Sequence, residues 1–452
     1  MAESVVFIMP WTSLDNIYPD FRGTTASGPI LLATILKQAG FKVRLIYEHI
    51  YGRPVDKRDL DADWLCLSLK TCMAPRGYEI AKMYREARPN GKIVAGGMHA
   101  TFMTEEVLQH VDYIITGEAE NAIVDLMKNP GKDRVIQGGI IEDLDSLPFP
   151  DMSLLEGQKI NPSRIMITSR GCPRQCWFCA PAAMFGQFRA VSAERVLEEI
   201  DQFDYRKIVF LEDDFACDRK RVNAIVDGFL KRDRGIIWEC QVTAGVDKDE
   251  ELVKRMARSG CQFVYMGFEA LTPESLKQVG KRQKIEDIVH SIRVFHENGI
   301  SILAFLVLGW DTDTVESIRY TIDFCMKNRI ERVHPGIVTP HPGTRLREKL
   351  VAEGRVFSND WSLYDGRHVV FRPANMTPAQ LQLSMLESWS ALTSVGAIAR
   401  DAISLPYETV MRKIGFMRRP PTMRRLGWRI MARECVQKWR KKDQEYIAGL
   451  PE

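Results

Sequence analysis

Residues 164–179 read RIMITSRGCPRQCWFC, a β-branched and apolar run that opens into three cysteines, Cys172, Cys176 and Cys179, spaced CxxxCxxC. Arg164–Ser169 has the character of a strand, which puts the thiols on the turn that leaves its carboxyl end. Three thiolates on one tight loop can hold three irons of a cubane cluster. Most [4Fe–4S] clusters take four Cys, so a missing fourth ligand leaves one iron open to an exogenous molecule. A zinc site would want a fourth Cys or His nearby. The next Cys is Cys217 and no His lies between, which disfavours zinc. With only ten Cys in 452 residues, three within eight positions are not scatter.

Upstream of this loop the chain alternates strand and helix. Ser4–Met9, Lys42–Tyr47, Trp64–Leu69, Lys92–Ala95 and Tyr113–Thr116 read as strands. Pro29–Ala39, Gly77–Ala87, Glu105–His110 and a segment from about Glu120 read as helices. That alternation predicts a doubly wound parallel sheet, whose ligands bind beyond the carboxyl ends of the strands. The candidate loops are Pro10–Gly28, Ser68–Arg76, Gly96–Thr101 and Gly117–Glu120. Gly96-Gly97 and Gly117 let the backbone turn tightly and approach a ligand, or are ordinary turn glycines. There is no GxGxxG after the first strand and no GxxxxGK[ST], so nicotinamide and P-loop phosphate sites are disfavoured. Gly138–Pro150 mixes Gly, Pro and acids, and Asp145–Pro150 reads as a linker with a boundary near residue 150.

Downstream, further strands are expected at Lys207–Leu211, Trp238–Thr243, Phe263–Phe268, Ile302–Leu308 and Arg332–Val338. With Arg164–Ser169 they make six βα units in order, a partial (βα)6 barrel whose chemistry sits at the strands' carboxyl ends.

The cysteine loop resembles the CxxxCxΦC signature of the radical S-adenosylmethionine (SAM) superfamily, with Phe178 as the aromatic before the last Cys. The resemblance implies a [4Fe–4S] cluster whose open iron chelates SAM, and reductive cleavage to a 5′-deoxyadenosyl radical. It extends downstream. Glu212-Asp213-Asp214 is similar to the acidic form of the family's Gly-Gly-Glu, which binds the SAM amino group; which carboxylate acts stays open. Gln241 and Thr243 are inward candidates. Gly267-Phe-Glu269 resembles Gly-x-Glu, Lys281 a recurrent Lys, Gly309 the fifth-strand glycine, and Thr339-Pro-His-Pro-Gly-Thr344 the sixth-strand exit.

A doubly wound domain directly before such a barrel resembles the cobalamin-binding class of radical SAM enzymes. The expected domains are 1–140 (Rossmann-like, cobalamin-binding), 141–160 (linker), 161–345 (radical SAM partial barrel) and 346–452 (mainly helical, capping the substrate). The implied cobalamin residues are Ser68, Thr71, Gly96, Gly97, His99, Gly117 and Glu118. For His99 a loop imidazole bonded to backbone is the competing reading. The Asp-x-His-x-x-Gly motif is absent from residues 1–150: His49 precedes Ile50-Tyr51-Gly52, but Tyr47 stands at the Asp position. Bound cobalamin should therefore take no lower ligand from that motif. The resemblance implies methylation of an unactivated carbon, with cyclisation, ring contraction or oxidation as the alternative and a non-catalytic carrier as a reading of another class. It also implies a small-molecule or lipid-like substrate and an external electron donor of flavodoxin or ferredoxin type.

Composition agrees with a globular chain: 45% apolar and 27% charged residues with a formal charge of +3. The charge is uneven. Residues 401–452 carry 12 Lys/Arg against 6 Asp/Glu, a net +6 that leaves −3 for the rest. Basic residues there alternate with Trp, Met and Ile. Segment 406–442 therefore reads either as a surface helix touching anionic lipid or as a helix packed on the barrel by its apolar side. No nucleic-acid module is visible. Trp361, Tyr364 and His368 are candidates for a substrate cavity or for small-domain core. No run of 18 apolar residues and no signal-peptide pattern occurs, so a cytoplasmic protein without a membrane span is expected.

Overall fold

The computed structural model describes residues 2–11, 27–157, 163–281, 283–403 and 421–452. Six short strands form the first sheet: β1 (Ser4–Met9), β2 (Lys42–Tyr47), β3 (Trp64–Ser68), β4 (Lys92–Gly96), β5 (Tyr113–Thr116) and β6 (Val135–Gln137). All pairings are parallel, in the order β2-β1-β3-β4-β5-β6. The order reverses between β1 and β3, which opens a crevice at their carboxyl ends. Both faces are covered. Helix Ser27–Gln38 buries Ile30, Ala33 and Leu36 on one side, and helix Ala74–Ala87 buries Ile80, Ala81 and Tyr84 on the other. β6 lacks a sequence signal, because Val135 and Gln137 are exposed.

The second sheet holds β7 (Ser163–Met166), β10 (Lys207–Phe210), β11 (Ile237–Val242), β12 (Cys261–Glu269), β13 (Ser301–Leu308) and β14 (Arg332–Ile337). Its strands are parallel and paired in chain order from β7 to β14. Among the described residues β7 and β14 do not pair, so the barrel stays open on one side. Helices such as Ala193–Gln202, Arg219–Arg232 and Val315–Lys327 fill the crossovers, and one apolar core joins them to the strands.

Three expectations change. The run Arg164–Ser169 is not one strand. After β7 the chain leaves the sheet because the Thr168 amide donates to Glu212 rather than to a neighbouring strand. Ser169–Arg170 (β8) then pairs antiparallel with Arg189–Ala190 (β9). The helix expected at Glu105–His110 is two short helices, Met98–Phe102 and Thr104–Val107, and the one expected from Glu120 is Ile123–Lys128. In the expected linker 141–160, Ile141, Leu144 and Leu155 are buried, and Leu155 bridges to Leu45.

Helix Pro378–Leu392 is capped by Thr377 and Gln380 and packs on β14, where the Trp389 indole donates to the Pro335 carbonyl at 3.0 Å. Helix Pro421–Lys442 runs beside it. Near its start Arg424 bonds Ser301, the first residue of β13, at 2.8 Å. Just past its end Asp443 bonds Arg367, close to where β14 finishes. Trp428 and Trp439 are buried, so this helix packs its apolar side inward; residues 404–420 lie outside the described residues. No described helix is long and apolar enough to cross a membrane.

Candidate active site

A cavity of about 670 Å³ lies between the two sheets. All four candidate loops reach its wall: Trp11 and Ser27 from the first, Ser68 and Met73 from the second, Gly97 from the third and Glu120 from the fourth. Residues 12–26 of the first loop lie outside the described residues. The barrel contributes Ser169, Arg170, Glu212 and Asp213, and the C-terminal segment contributes Asp365. Apolar side chains, among them Phe7, Met9, Met184 and Phe185, make up much of the remaining wall.

The glycine loops are knitted to one another. Leu69 N donates to Gly96 O at 2.9 Å, and His99 N donates to Leu69 O at 3.0 Å. Gly97 has φ +92°, and a Cβ there would lie 2.9 Å from Leu69 O. Thr101 Oγ1 accepts from Gly117 N at 3.1 Å and donates to Gly97 O at 3.0 Å, which ties the two glycine motifs together.

Of the residues expected to hold cobalamin, Ser68, Gly96, Gly97, Gly117 and Glu118 line the cavity. Thr71 and His99 do not. Thr71 is buried in the turn Thr71–Met73. His99 is fully buried, its ring facing Tyr78 and Trp361 instead. The short helix that starts after Gly97 turns Met98 to the cavity and His99 away from it. Glu118 lines the wall, but its oxygens are taken by Arg170, Arg189 and Ile141 N. His49, outside the expected set, also lines the cavity and stacks on Trp11 with ring centroids 4.4 Å apart.

The wall suits a corrinoid, which is broad, flat and fringed with amides. Three buried polar atoms on residues of this wall have no hydrogen-bond partner among the described residues: Trp11 Nε1, Ser27 Oγ and Glu120 Oε2. They offer the donors and the acceptor an amide fringe needs, and an unmet buried polar group is costly. All three lie in loops that the sequence named as candidates, but it singled out none of them as a cofactor-binding side chain.

On the barrel side, Gly171 (φ +76°) and Gln175 (φ +46°) shape the cysteine loop. The Gln175 amide donates to the carbonyls of Cys172 and Gly186 at 3.0 and 2.8 Å. The three thiols are half-buried. Burial raises each, Cys179 to about 11, so a metal is needed to hold them as thiolates. Among the described residues no three His, Cys, Asp or Glu side chains converge as a ready metal site. The donor set, three soft thiols on one loop, is nevertheless that of iron–sulfur chemistry.

The acidic run beside this loop divides its work. Glu212 is buried and accepts from Thr168 N, from the Thr168 hydroxyl and from Ser169 Oγ, with Arg221 3.7 Å away. That leaves it little capacity for a ligand. Asp214 caps Ala216 N and accepts from Thr243. The Asp213 carboxylate lines the cavity with no hydrogen-bond donor among the described residues. Burial, then the charges of Glu212 and Asp214, raise its pKa. Asp213 is thus the carboxylate with capacity for an ammonium.

The remaining expected SAM residues stand at the barrel's carboxyl ends but off the cavity wall. Glu269 sits in left-handed backbone (φ +61°) where the β12–β13 register slips. Lys281 Nζ donates to its carboxylate and to Gly267 O at 3.1 Å. That pair fills the space a Cβ on Gly267 would need. Gln241 Nε2 is 3.4 Å from Asp213 O, Phe178 packs edge-on against Trp310, and Gly309 (φ +99°) donates its amide to Asp313 at 2.9 Å. Trp361 and Tyr364 form a small core with Val370, and His368 is buried against Asp365; none of the three lines the cavity.

Residues 166–325 match the family model of the radical SAM superfamily, and residues 27–127 match that of the B12 binding domain. The chain belongs to the B12-binding-domain-containing radical SAM enzymes. The cofactors of this radical SAM enzyme are a [4Fe–4S] cluster, SAM and cobalamin. It is 27% identical to an uncharacterized methyltransferase of Pyrococcus horikoshii over 354 residues, 72% of this chain and 77% of the other. It is 28% identical to bacteriochlorophyllide d C-12(1)-methyltransferase of Chlorobaculum tepidum over 331 residues, 70% and 71% of the two chains. Its fold resembles the cobalamin-dependent SAM radical enzyme OxsB with aqua-cobalamin bound, at TM-score 0.66 and 14% identity, over 100% of this chain and 82% of the other.

Proposed function

We propose that this radical SAM enzyme is a C-methyltransferase acting on an unactivated carbon of an apolar small-molecule or lipid-like substrate. The observation that carries the reading is the single cavity walled both by the B12-domain loops and by Ser169, Arg170, Glu212 and Asp213 of the barrel. Two relatives of about this length named as methyltransferases support it.

Cys172, Cys176 and Cys179 would hold the cluster. Asp213, Gln241, Phe178, Gly309 and the Glu269–Lys281 pair would surround SAM. Ser68, Gly96, Gly97, Gly117, Trp11, Ser27 and Glu120 would seat the corrinoid. When bound, these groups supply a 5′-deoxyadenosyl radical and a transferable methyl group. The chain's own work is placement. Gly97 and Gly117 bare the backbone so that a flat ligand can approach. Met184, Phe185 and Leu211 give the reacting region an apolar wall, which shields a carbon radical from competing hydrogen-atom donors. Two groups must meet in one orientation, and a shared cavity provides that proximity. An external one-electron donor of flavodoxin or ferredoxin type would supply the reducing equivalent.

Counting products tests the reading. Reduced, cobalamin-loaded enzyme should form both S-adenosylhomocysteine and 5′-deoxyadenosine from SAM. 5′-Deoxyadenosine without S-adenosylhomocysteine would move the assignment to cyclisation, ring contraction or oxidation. Neither product would leave a carrier.

A further inference from the structure

The two-residue strand β8 carries the chain from the first barrel strand to the cysteine loop, and its side chains reach two different neighbours. Ser169 donates to Glu212, in the acidic run beside the loop. Arg170 turns to the B12 domain: Nη1 lies 3.0 Å from Glu118 Oε2, and Nη2 bonds Glu120. Arg189, on the paired strand β9, holds Glu118 with both terminal nitrogens and donates to Ile141 O at 2.6 Å. Ile141 N returns a bond to Glu118 Oε2 at 2.7 Å. All four charged side chains are at least 85% buried.

Two guanidiniums and two carboxylates thus close a network across the domain boundary. Arg forks fix direction as well as distance, which a single ammonium does not. The acidic partners stand in Gly117-Glu-Ala-Glu120, a loop that lines the cavity, and Arg170 stands two residues before Cys172. Gly171, between them, admits no Cβ: one would lie 2.5 Å from Gln187 O. The hairpin cannot easily swing on that glycine, so movement of the Glu118–Glu120 loop is passed to the cysteine loop. The second oxygen of Glu120 has no partner among the described residues, so the clamp also aims one acceptor of the cavity wall.

We propose that Arg170, supported by Arg189, is a positioning residue: it locks the Gly117–Glu120 loop to the cysteine hairpin and so sets the separation of the corrinoid from the cluster. This rests on the reading that one cavity serves both cofactors.

The test uses the full-length protein, reconstituted with iron and sulfide and loaded with hydroxocobalamin reduced to cob(II)alamin. Both cob(II)alamin and the reduced cluster are paramagnetic, so each speeds the other's electron-spin relaxation in a strongly distance-dependent way. In the wild type, reducing the cluster should speed relaxation of the cob(II)alamin signal. Arg170→Gln should lose that enhancement while iron content and corrinoid stoichiometry stay at wild-type levels, and Arg170→Lys should recover part of it. If Arg170→Gln loses iron or corrinoid, Arg189→Gln opens the same network at Glu118 from a residue off the cavity wall and gives the decisive spectrum. A variant with full iron and corrinoid and wild-type relaxation overturns the clamp and leaves the shared cavity standing. A wild type whose cob(II)alamin relaxation ignores cluster reduction overturns the shared cavity, and the clamp with it.

Discussion

The indole of Trp361 stands edge-on to the imidazole of His99, ring centroids 5.3 Å apart, across the seam between the C-terminal segment and the B12 domain. Both rings share one acidic partner: Trp361 Nε1 donates to Glu106 at 2.8 Å, and Tyr78 OH donates to Glu106 at 2.8 Å while lying 3.0 Å from His99 Nε2. Tyr78 has one proton and gives it to Glu106, so His99 carries its own proton on Nε2. Burial lowers the His99 pKa and keeps the ring neutral. His99 is therefore a brace behind the glycine loop.

His99→Ala should cost about 1–3 kcal/mol of stability, the scale of a broken buried hydrogen bond. It should leave the cob(II)alamin electron-spin spectrum unchanged. Loss of nitrogen hyperfine structure in the variant would instead make His99 a cobalt ligand.

Gly97→Ala should weaken corrinoid binding through the backbone. The residue has φ +92°, and its new Cβ would press on Leu69 O. Strain of this kind costs on the order of 1–3 kcal/mol, or about one to two powers of ten in affinity. A spectral titration with hydroxocobalamin measures it, and an unchanged dissociation constant would remove Gly97 from the wall's working parts.

Lys281→Met should strand the Glu269 carboxylate. Both side chains are only 10% exposed. Breaking a buried pair by removing one partner costs up to about 3–5 kcal/mol, because the remaining charge loses its solvation and its partner. The expected result is a lower melting temperature together with weaker anaerobic SAM binding. Wild-type SAM affinity in a folded variant would take the pair out of the SAM site.

Acid should destabilise the exit turn after β14. Burial, reinforced by the Arg347 charge and opposed by Asp365, lowers His341 to about 4. An unfolded imidazole titrates near 6.5. Between those values the unfolded chain binds the proton and the folded one does not, so stability falls as pH drops through the window. At about 1.4 kcal/mol per unit the loss is of order 1–3 kcal/mol. Melting temperatures of the wild type and of His341→Phe, taken from pH 7 down to 4, should converge on acidification. A constant gap would show that His341 is not the titrating group.

Cys176→Ala should abolish the anaerobic brown iron–sulfur chromophore and reductive SAM cleavage while far-ultraviolet circular dichroism stays native. Retention of both would place the cluster elsewhere.

The sequence alone determined the architecture. Period and composition located eleven of the strands, because a parallel strand buried on both faces must be a near-continuous apolar run. Cysteine spacing located the cluster loop, since loop ligation is a local property of the chain. The four loops of the first domain could be named because their place at strand carboxyl ends follows from topology. β6, with two of its three residues exposed, left no such trace.

Which side chains face the cavity was decided only by tertiary structure. Glu212 and Asp213 are neighbours of like charge, and only the contacts of Thr168, Ser169 and Arg221 assign one to structure and leave the other for a ligand. Met98 and His99 are neighbours too, and the helix phase set by Gly97 sends them opposite ways. Arg170 and Glu120 lie fifty residues apart with no local pattern joining them. Hydrogen-bond capacity, side-chain direction and long-range pairing are properties of the packed chain, and no one-dimensional spacing encodes them.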